Sequence, residues 1–431
     1  MKKIVVAGAG HGGISAAVNL SENGFDITVI EKKKRCELGY DWGDVFITDC
    51  LKEAGIYIED CEAADAHPSM CYFNPSLDVK LAANFSNNDS SKVVERKHLI
   101  SKLVDYAEKA GVKFIFETEV FSPIVRDDFV TGVDTSRGVF DCELLIDAAG
   151  MNSPVRNNLP ESFGICSSFP EKDVFVAYRG YFSKTEDKYT SPRYALYFFH
   201  CNKPGLDWAI TEKDHIDILV GGFHRLTQED IKEALEDFRR IYPYMGDELL
   251  RGGQVTEIPM GKTLSKTVAN GYAAVGDSAS MTEPLSGSGI ALSIHAGKIL
   301  ADTVIKSNAD KFDEKTLWKY QYDYYKNYGE SRLFNYIIKT FLSKLSSRDI
   351  DYMMKKGVIT SKDIASDSDE AKKTFADFFR QGFYILLRPS SWKAVFGEFM
   401  KVTRIKSVCK KMPREYDRVK IKQWEKRYNK L

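Results

Sequence analysis

The sequence predicts an α/β chain in which a parallel-sheet unit is interrupted by an antiparallel sheet and followed by a helical C-terminal region. Three observations predict it. Two glycine-rich loops, at 8–13 and 276–289, each follow an apolar strand and open a helix. Between about 160 and 258, Phe175, Tyr178, Tyr181, Phe182, Tyr194, Tyr197, Phe198 and Phe199 crowd short alternating segments separated by turn signals. That is the pattern of an antiparallel sheet with one packed face. After about 306 the chain is rich in Tyr, Phe and Lys and reads as helical.

Taken in order, residues 4–7 are a continuous apolar run, as in a strand covered on both faces. The helix expected over 14–23 places Ala16, Ala17 and Leu20 on one face and stops at Gly24. Residues 27–30 give a second strand, with Glu31 at its carboxyl end. From 36 to 92 the pattern is irregular, with polar turns at Asn74-Pro75 and Ser86-Asn87-Asn88. After Arg96, Leu99, Leu103, Ala107 and Ala110 recur at helical spacing and end at Gly111. Residues 113–116, 144–150 and 271–276 read as strands, and 289–305 as a helix. The domains expected are a discontinuous cofactor unit (1–60, 92–160 and 255–305), a substrate unit (61–91 and 161–254) and a helical region over 306–431.

A length of 431 residues exceeds one ordinary core. Its 61 basic and 61 acidic residues cancel, so nothing global favours nucleic acid. The first strand starts beside Met1, which leaves no room for a signal peptide, and no run of eighteen apolar residues exists. The expectation is a cytoplasmic protein with eight scattered, reduced cysteines. No metal-ligand spacing is read, so no metal is expected. Residues 401–431 carry twelve Lys or Arg against Glu415, Asp417 and Glu425, a local +9. With Phe383-Tyr384-Ile385-Leu386-Leu387, Trp392, Phe396 and Phe399 nearby, that end suits peripheral contact with an anionic membrane surface, or else a solvated helical cap.

In Gly8-x-Gly10-x-x-Gly13 the first glycine makes the tight turn, the second admits a pyrophosphate, and the third lets helix and strand pack closely. The amides at Gly12 and Gly13 then face phosphate charge. Glu31 accepts from a ribose diol and repels a 2′-phosphate. In the second loop Asp277 ends a strand, where a carboxylate takes hydrogen bonds from sugar or ribityl hydroxyls. Pro284 precedes Gly287, Ser288, Gly289 and Ile290, whose amides open a helix and favour negative charge. Two such loops point to one long ligand gripped at both ends, most simply FAD.

With these loops the chain resembles FAD-dependent oxidoreductases of the para-hydroxybenzoate hydroxylase fold group, and within it the geranylgeranyl reductase family. The resemblance covers about 1–305 and implies a Rossmann-like FAD-binding domain. It implies roles for Gly8, Gly10, His11, Gly12, Gly13 and Glu31 at the ADP moiety, Arg96 near the phosphates and Val120 at adenine. It further implies Gly150 in the turn after the 144–147 strand, and Asp277 to Ile290 at the ribityl chain and ring. Where hydroxylases of the group carry Asp-Gly, this chain has Ala149-Gly150, which counts against that branch. It keeps Trp208 of a reductase strand but not its aromatic partners, and the two-tryptophan strand motif of the halogenases is absent. Cys36 falls where reductases place a cysteine near the flavin, as a candidate proton donor or an ordinary loop cysteine. Trp208, Tyr178 and Tyr197 are candidates to line a slot for a prenyl chain. The implied reaction is reduction of a carbon–carbon double bond in a hydrophobic isoprenoid or lipid-like substrate, with NAD(P)H or ferredoxin as transient electron donor. Two alternatives stay open: a flavin monooxygenase of the same fold, and a non-catalytic flavin-binding sensor.

Overall fold

The computed structural model describes residues 1–58, 63–65, 69–84, 91–188, 191–361 and 392–431. A six-stranded sheet runs in the order Val268–Ala269, Tyr272–Ala274, Leu144–Asp147, Lys3–Ala7, Asp26–Ile30, Lys113–Ile115. All neighbours are parallel except the first pair. Ile4, Val6, Leu145, Ile146 and Ala273 are almost wholly buried. Cover on both faces explains why these strands read as unbroken apolar runs rather than alternating ones. In register, Ala7 stands between Asp147 and Ile30, and Asp147 beside Ala274. The loops leaving these ends therefore converge on one edge, where ligands bind in open α/β sheets.

What joins the two glycine loops is the packing of the helices they open. The helix His11–Glu22 lies against Ile290–Ser307. A Cβ on Gly297 would collide with the Gly12 carbonyl, and Ser15 Oγ donates to Ile294 O at 2.8 Å. Small residues on both faces let the backbones approach, so loops far apart in sequence become neighbours.

The second large sheet has seven strands, ordered Met245–Pro259, Val174–Lys184, His215–Gly222, Leu206–Thr211, Tyr194–Phe198, Ser69–Phe73, Lys80–Asn84. Tyr194–Phe198 and Ser69–Phe73 pair in parallel; the others are antiparallel. The amphipathic helix Gln228–Ile241 covers one face through Ile231, Ala234 and Phe238.

In the course of the chain, the structure departs from the sequence reading at residues 36–92 and at the 254/255 boundary. Among the described residues of 36–92 the chain forms strands where an irregular run was expected. Gly43–Ile47, Ala63–Asp65 and Ser91–Glu95 make a three-stranded sheet, and Ser69–Phe73 with Lys80–Asn84 completes the seven-stranded one. Val45 and Ile47 are 39% and 48% exposed, so the apolar-in, polar-out signature is missing there. The expected boundary at 254/255 falls inside the strand Met245–Pro259, which stays paired with Val174–Lys184 as far as Pro259.

The C-terminal region is helical among the described residues: Glu314–Tyr324, Glu330–Leu342, Ser347–Lys355, Trp392–Lys410 and Arg418–Tyr428. A π-helical turn, Tyr325–Gly329, joins the first two. No helix of the described residues is long and apolar enough to cross a membrane. Phe383 to Leu387 and Cys61 lie outside the described residues, and Cys36, Cys50, Cys71, Cys142, Cys166 and Cys201 form no disulfide.

Candidate active site

A cleft lies at the carboxyl edge of the parallel sheet, lined at one end by Gly10, His11, Gly12 and Arg96 and at the other by Asp277, Gly287, Gly289 and Ile290. Gly8 has φ +90°, and a Cβ there would sit 2.6 Å from Ala148 O. Cβ atoms on Gly12 and Gly13 would fall 2.8 Å from Ser293 O and 2.6 Å from Ala148 Cβ. Gly8, Gly12 and Gly13 are thus required by a neighbouring backbone or side chain, while a Cβ on Gly10 would lie 3.0 Å from Ala148 O. Glu31 folds back on this loop, its Oε2 accepting from Ala9 N and its Oε1 from Lys33 N, both at 2.9 Å.

His11 opens the helix and lines the cleft. Its Nε2 is buried with no hydrogen-bond partner. Burial, reinforced by the Arg96 charge, pushes its pKa down to about 3, so the ring is neutral at pH 7. Arg96 is paired with Asp44 and lies 5.3 Å and 5.7 Å from the Tyr40 and Trp42 ring centres. At the other end, Asp277 Oδ1 accepts from Thr282 Oγ1 at 2.7 Å. Gly276 and Gly287 have φ +65° and +74° and fix the turns around it. Gly289 caps the helix Ile290–Ser307, while Pro284 is buried and Ser288 exposed, neither lining the cleft.

Sequence reasoning missed the group that fastens the two ends together. Asp147 is completely buried. It accepts from Ala149 N (3.1 Å), Ser153 Oγ (2.7 Å), Tyr272 OH (2.9 Å) and Ser278 Oγ (2.9 Å). Ser278, next to Asp277, also receives Gly150 N at 3.0 Å. Arg156, buried over the Phe169 ring, donates to Ser278 O at 2.7 Å and to Met151 O. The signal was a carboxylate at the end of a wholly apolar strand, where only a rich set of donors makes burial tolerable. From behind, Arg332 donates to Ser280 O and Met281 O at 2.7 Å and to Thr263 Oγ1 at 3.0 Å. Asn335 reaches Glu283 Oε1 at 2.8 Å.

The far wall of the cleft is the uncovered face of the seven-stranded sheet, whose Thr256 and Ile258 line it. Arg179 stands there in register with Leu219 and Trp208. It makes a two-pronged pair with Asp217 (2.9 and 2.6 Å), donates to Gly43 O at 2.7 Å and lies 5.1 Å from the Trp208 ring centre. Tyr181 OH accepts from Gly43 N at 3.0 Å. These contacts tie the strand Gly43–Ile47 across one end of the cleft.

Trp208 lies on this face of the sheet, beside Leu219 and outside the cleft lining. Tyr178 and Tyr197 do not lie on it, which corrects the sequence reading. Side chains alternate along a strand, and both tyrosines point into the core beneath Gln228–Ile241. There Tyr197 OH meets Tyr242 OH at 2.7 Å. Cys36 is exposed on a short 3₁₀ turn, Arg35–Glu37, and is not among the cleft-lining residues. Val120 is the buried first residue of the strand Val120–Arg126, also outside the lining.

A family model described as FAD dependent oxidoreductase matches residues 60–303, more than half of the chain. The chain belongs to that family. A second model, an NAD(P)-binding Rossmann-like domain, matches residues 6–42. Among curated relatives, the digeranylgeranylglycerophospholipid reductase of Sulfolobus acidocaldarius is 25% identical over 93% of this chain and 92% of its own length. Digeranylgeranylglycerophospholipid reductase 1 of Methanococcoides burtonii is 24% identical over 94% and 98%. A geranylgeranyl bacteriochlorophyll reductase-like structure from Thermoplasma acidophilum superposes with TM-score 0.73 at 18% identity, covering 88% of this chain and 98% of that one. PqsL of P. aeruginosa, in complex with 2-aminobenzoylacetate, gives 0.61 at 19%, covering 82% and 99%. At these identities the structures establish the fold: a Rossmann-like FAD-binding α/β architecture.

The residues fit FAD. The glycine cradle leaves no space for a Cβ, and the orphaned His11 Nε2 needs a polar partner inside the cleft. The chain is an FAD-dependent oxidoreductase, and the geranylgeranyl reductase resemblance is borne out by its relatives.

Proposed function

We propose that this family member reduces carbon–carbon double bonds of a hydrophobic isoprenoid or lipid-linked substrate. The observation that carries the reading is the match, over more than nine-tenths of both chains, to reductases of digeranylgeranyl phospholipids. When bound, FAD supplies the electron pair as hydride. The chain's own residues do the rest. The amides of Gly12 and Gly13, with Arg96, hold the pyrophosphate, and Glu31 holds the ribose. Asp277 holds the ribityl chain, and the amides at Gly287–Gly289 oppose negative charge on the reduced ring. Trp208 and the carbon faces of Trp42 and Ile258 form the apolar side, and the Arg179–Gly43–Tyr181 contacts keep water out of one end. In this reading the six-stranded unit with the C-terminal helices is the cofactor part, and the seven-stranded sheet the substrate part. NAD(P)H or ferredoxin delivers electrons transiently, and the basic segment 401–431 rests against a membrane on the cytoplasmic side.

The test is anaerobic. Photoreduced protein mixed with a geranylgeranyl-bearing phospholipid should yield product heavier by two hydrogens per double bond, read by mass spectrometry. Oxygenated product formed only in air would replace this reading with the monooxygenase one. Tight flavin retention with no turnover would leave a sensor.

A further inference from the structure

On the helix-covered side of the seven-stranded sheet, away from the cleft, His200, Cys201 and Asp237 bring one potential ligand atom each within 4.8 Å of one another. The chain reaches this arrangement through an unusual turn, with Phe199, Cys201 and Asn202 at φ +50°, +51° and +59°. We infer that His200, Cys201 and Asp237 form a site for a divalent cation of the zinc class, with Asp207 orienting the imidazole from behind.

Nδ1 of His200 lies 2.8 Å from Asp207 Oδ2, and Asp207 is itself buried, its other oxygen accepting Gly221 N at 2.9 Å. A carboxylate behind a histidine fixes the tautomer and leaves Nε2 as the ligand, the arrangement typical of metal-bound imidazole. Nε2 faces Asp237 Oδ2 at 3.0 Å. Two ligands bound to zinc at ~2.0–2.2 Å span roughly 3.3 Å at a tetrahedral angle, so a small opening suffices. Arg240 holds the other oxygen, Oδ1, at 3.2 Å and so leaves Oδ2 directed at the ring. Cys201, whose Sγ lies 3.8 Å from His200 Nδ1, swings its thiolate to the Nε2 side on binding and supplies the soft ligand that selects zinc over calcium or magnesium. The three residues line a surface pocket of about 260 Å³ with Glu233 and Glu236, which offers room for a water or carboxylate as fourth ligand. Binding displaces the proton shared by His200 and Asp237 and the thiol proton of Cys201. The cation then pins the turn after Tyr194–Phe198 to the helix Gln228–Ile241.

The experiment uses the full chain with FAD bound, stripped of metal, equilibrated with Zn²⁺ and dialysed before elemental analysis. The expected result is one zinc per chain and a raised Tm. Cys201→Ser and Asp237→Asn should each remove the stoichiometric zinc, and Asp207→Asn should weaken binding by about 10–100-fold. Because other cysteines are present, Cys36→Ser serves as control and should keep full zinc. A wild-type protein that retains no zinc, or variants that retain as much as wild type, would overturn the site and leave His200 as an imidazolium bridging two carboxylates.

Discussion

Replacing Asp147 with alanine removes the acceptor for four donors in a position with no solvent access. A buried donor left without a partner costs about 1–3 kcal/mol. Hydroxyls of Ser153, Tyr272 and Ser278 recover part of this by rotating, but the Ala149 amide does not. The guanidinium of Arg156, whose charge burial disfavours and the nearby Asp147 charge favours, also loses that favourable charge. A loss of ~3–5 kcal/mol, two or three stranded buried donors at about 1–3 kcal/mol each, is expected. Against a total stability of roughly 5–15 kcal/mol that is a large share. Asp147→Asn keeps shape and one acceptor, so about 1–2 kcal/mol is expected, as for a single unmet donor. The assay is urea unfolding of both variants with FAD bound, together with the rate of FAD release. Release should quicken, because Ser278 passes the Asp147 contact on to Gly150 and the Asp277 turn. An alanine variant within about 1 kcal/mol of wild type, retaining FAD equally well, would refute the view that Asp147 joins the two loops.

Three further outcomes are expected. Arg332→Met frees the carbonyls of Ser280 and Met281, and should weaken FAD binding and move the flavin potential, with Arg332→Lys restoring part of both; equilibrium dialysis and potentiometry decide it. His11 has a folded pKa of about 3 against 6.5 unfolded, so below pH 6.5 the unfolded chain takes up a proton that the native state refuses. Stability of flavin-free protein should therefore fall as pH drops from 6.5 toward 3, and a His11→Gln variant should gain on wild type over that window; parallel Tm–pH curves would count against this. Tyr197→Phe should cost about 1 kcal/mol of stability, one buried hydrogen bond, while leaving kcat/KM within about twofold. Trp208→Ala, on the opposite face, should instead raise KM for the lipid, and equal kinetic effects from the two would undo the assignment of faces.

The cofactor end was legible because its requirements are local. A glycine that must sit against Ala148 O, a carboxylate at the end of a strand and a helix opening on small residues all show in short windows. The proposed substrate side was not legible, because one residue of strand phase decides it. Tyr178 and Arg179 are neighbours in sequence, yet one fills the core under a helix and the other the cleft wall. Aromatic content alone carries no such phase. The strand Gly43–Ile47 escaped notice for a related reason: its Val45 and Ile47 are turned outward, so its pattern does not declare a buried face. His200, Cys201 and Asp237 are invisible to spacing rules because the third residue comes from a separate helix.

The division between legible and hidden parts follows from how each half of the cleft is held. FAD presents the same phosphates and hydroxyls in every relative, so its contacts fall on backbone amides and a few fixed carboxylates. Those contacts need an exact backbone, supplied here by close helix packing at Gly12 and Gly297 and by the Asp147 and Arg332 hydrogen bonds. An apolar substrate asks only for shape and dryness, which many side chains supply. In the proposed function the seven-stranded sheet would meet that need with Trp208, Leu219 and Ile258 around the buried Arg179–Asp217 pair. Burying that pair is not the cheapest way to build an apolar wall. It is consistent with a need for rigidity, since Arg179 also grips Gly43 and so fixes the width of the cleft. Substrate length should therefore respond more to changes at Arg179 and Gly43 than to any single aromatic residue on the wall.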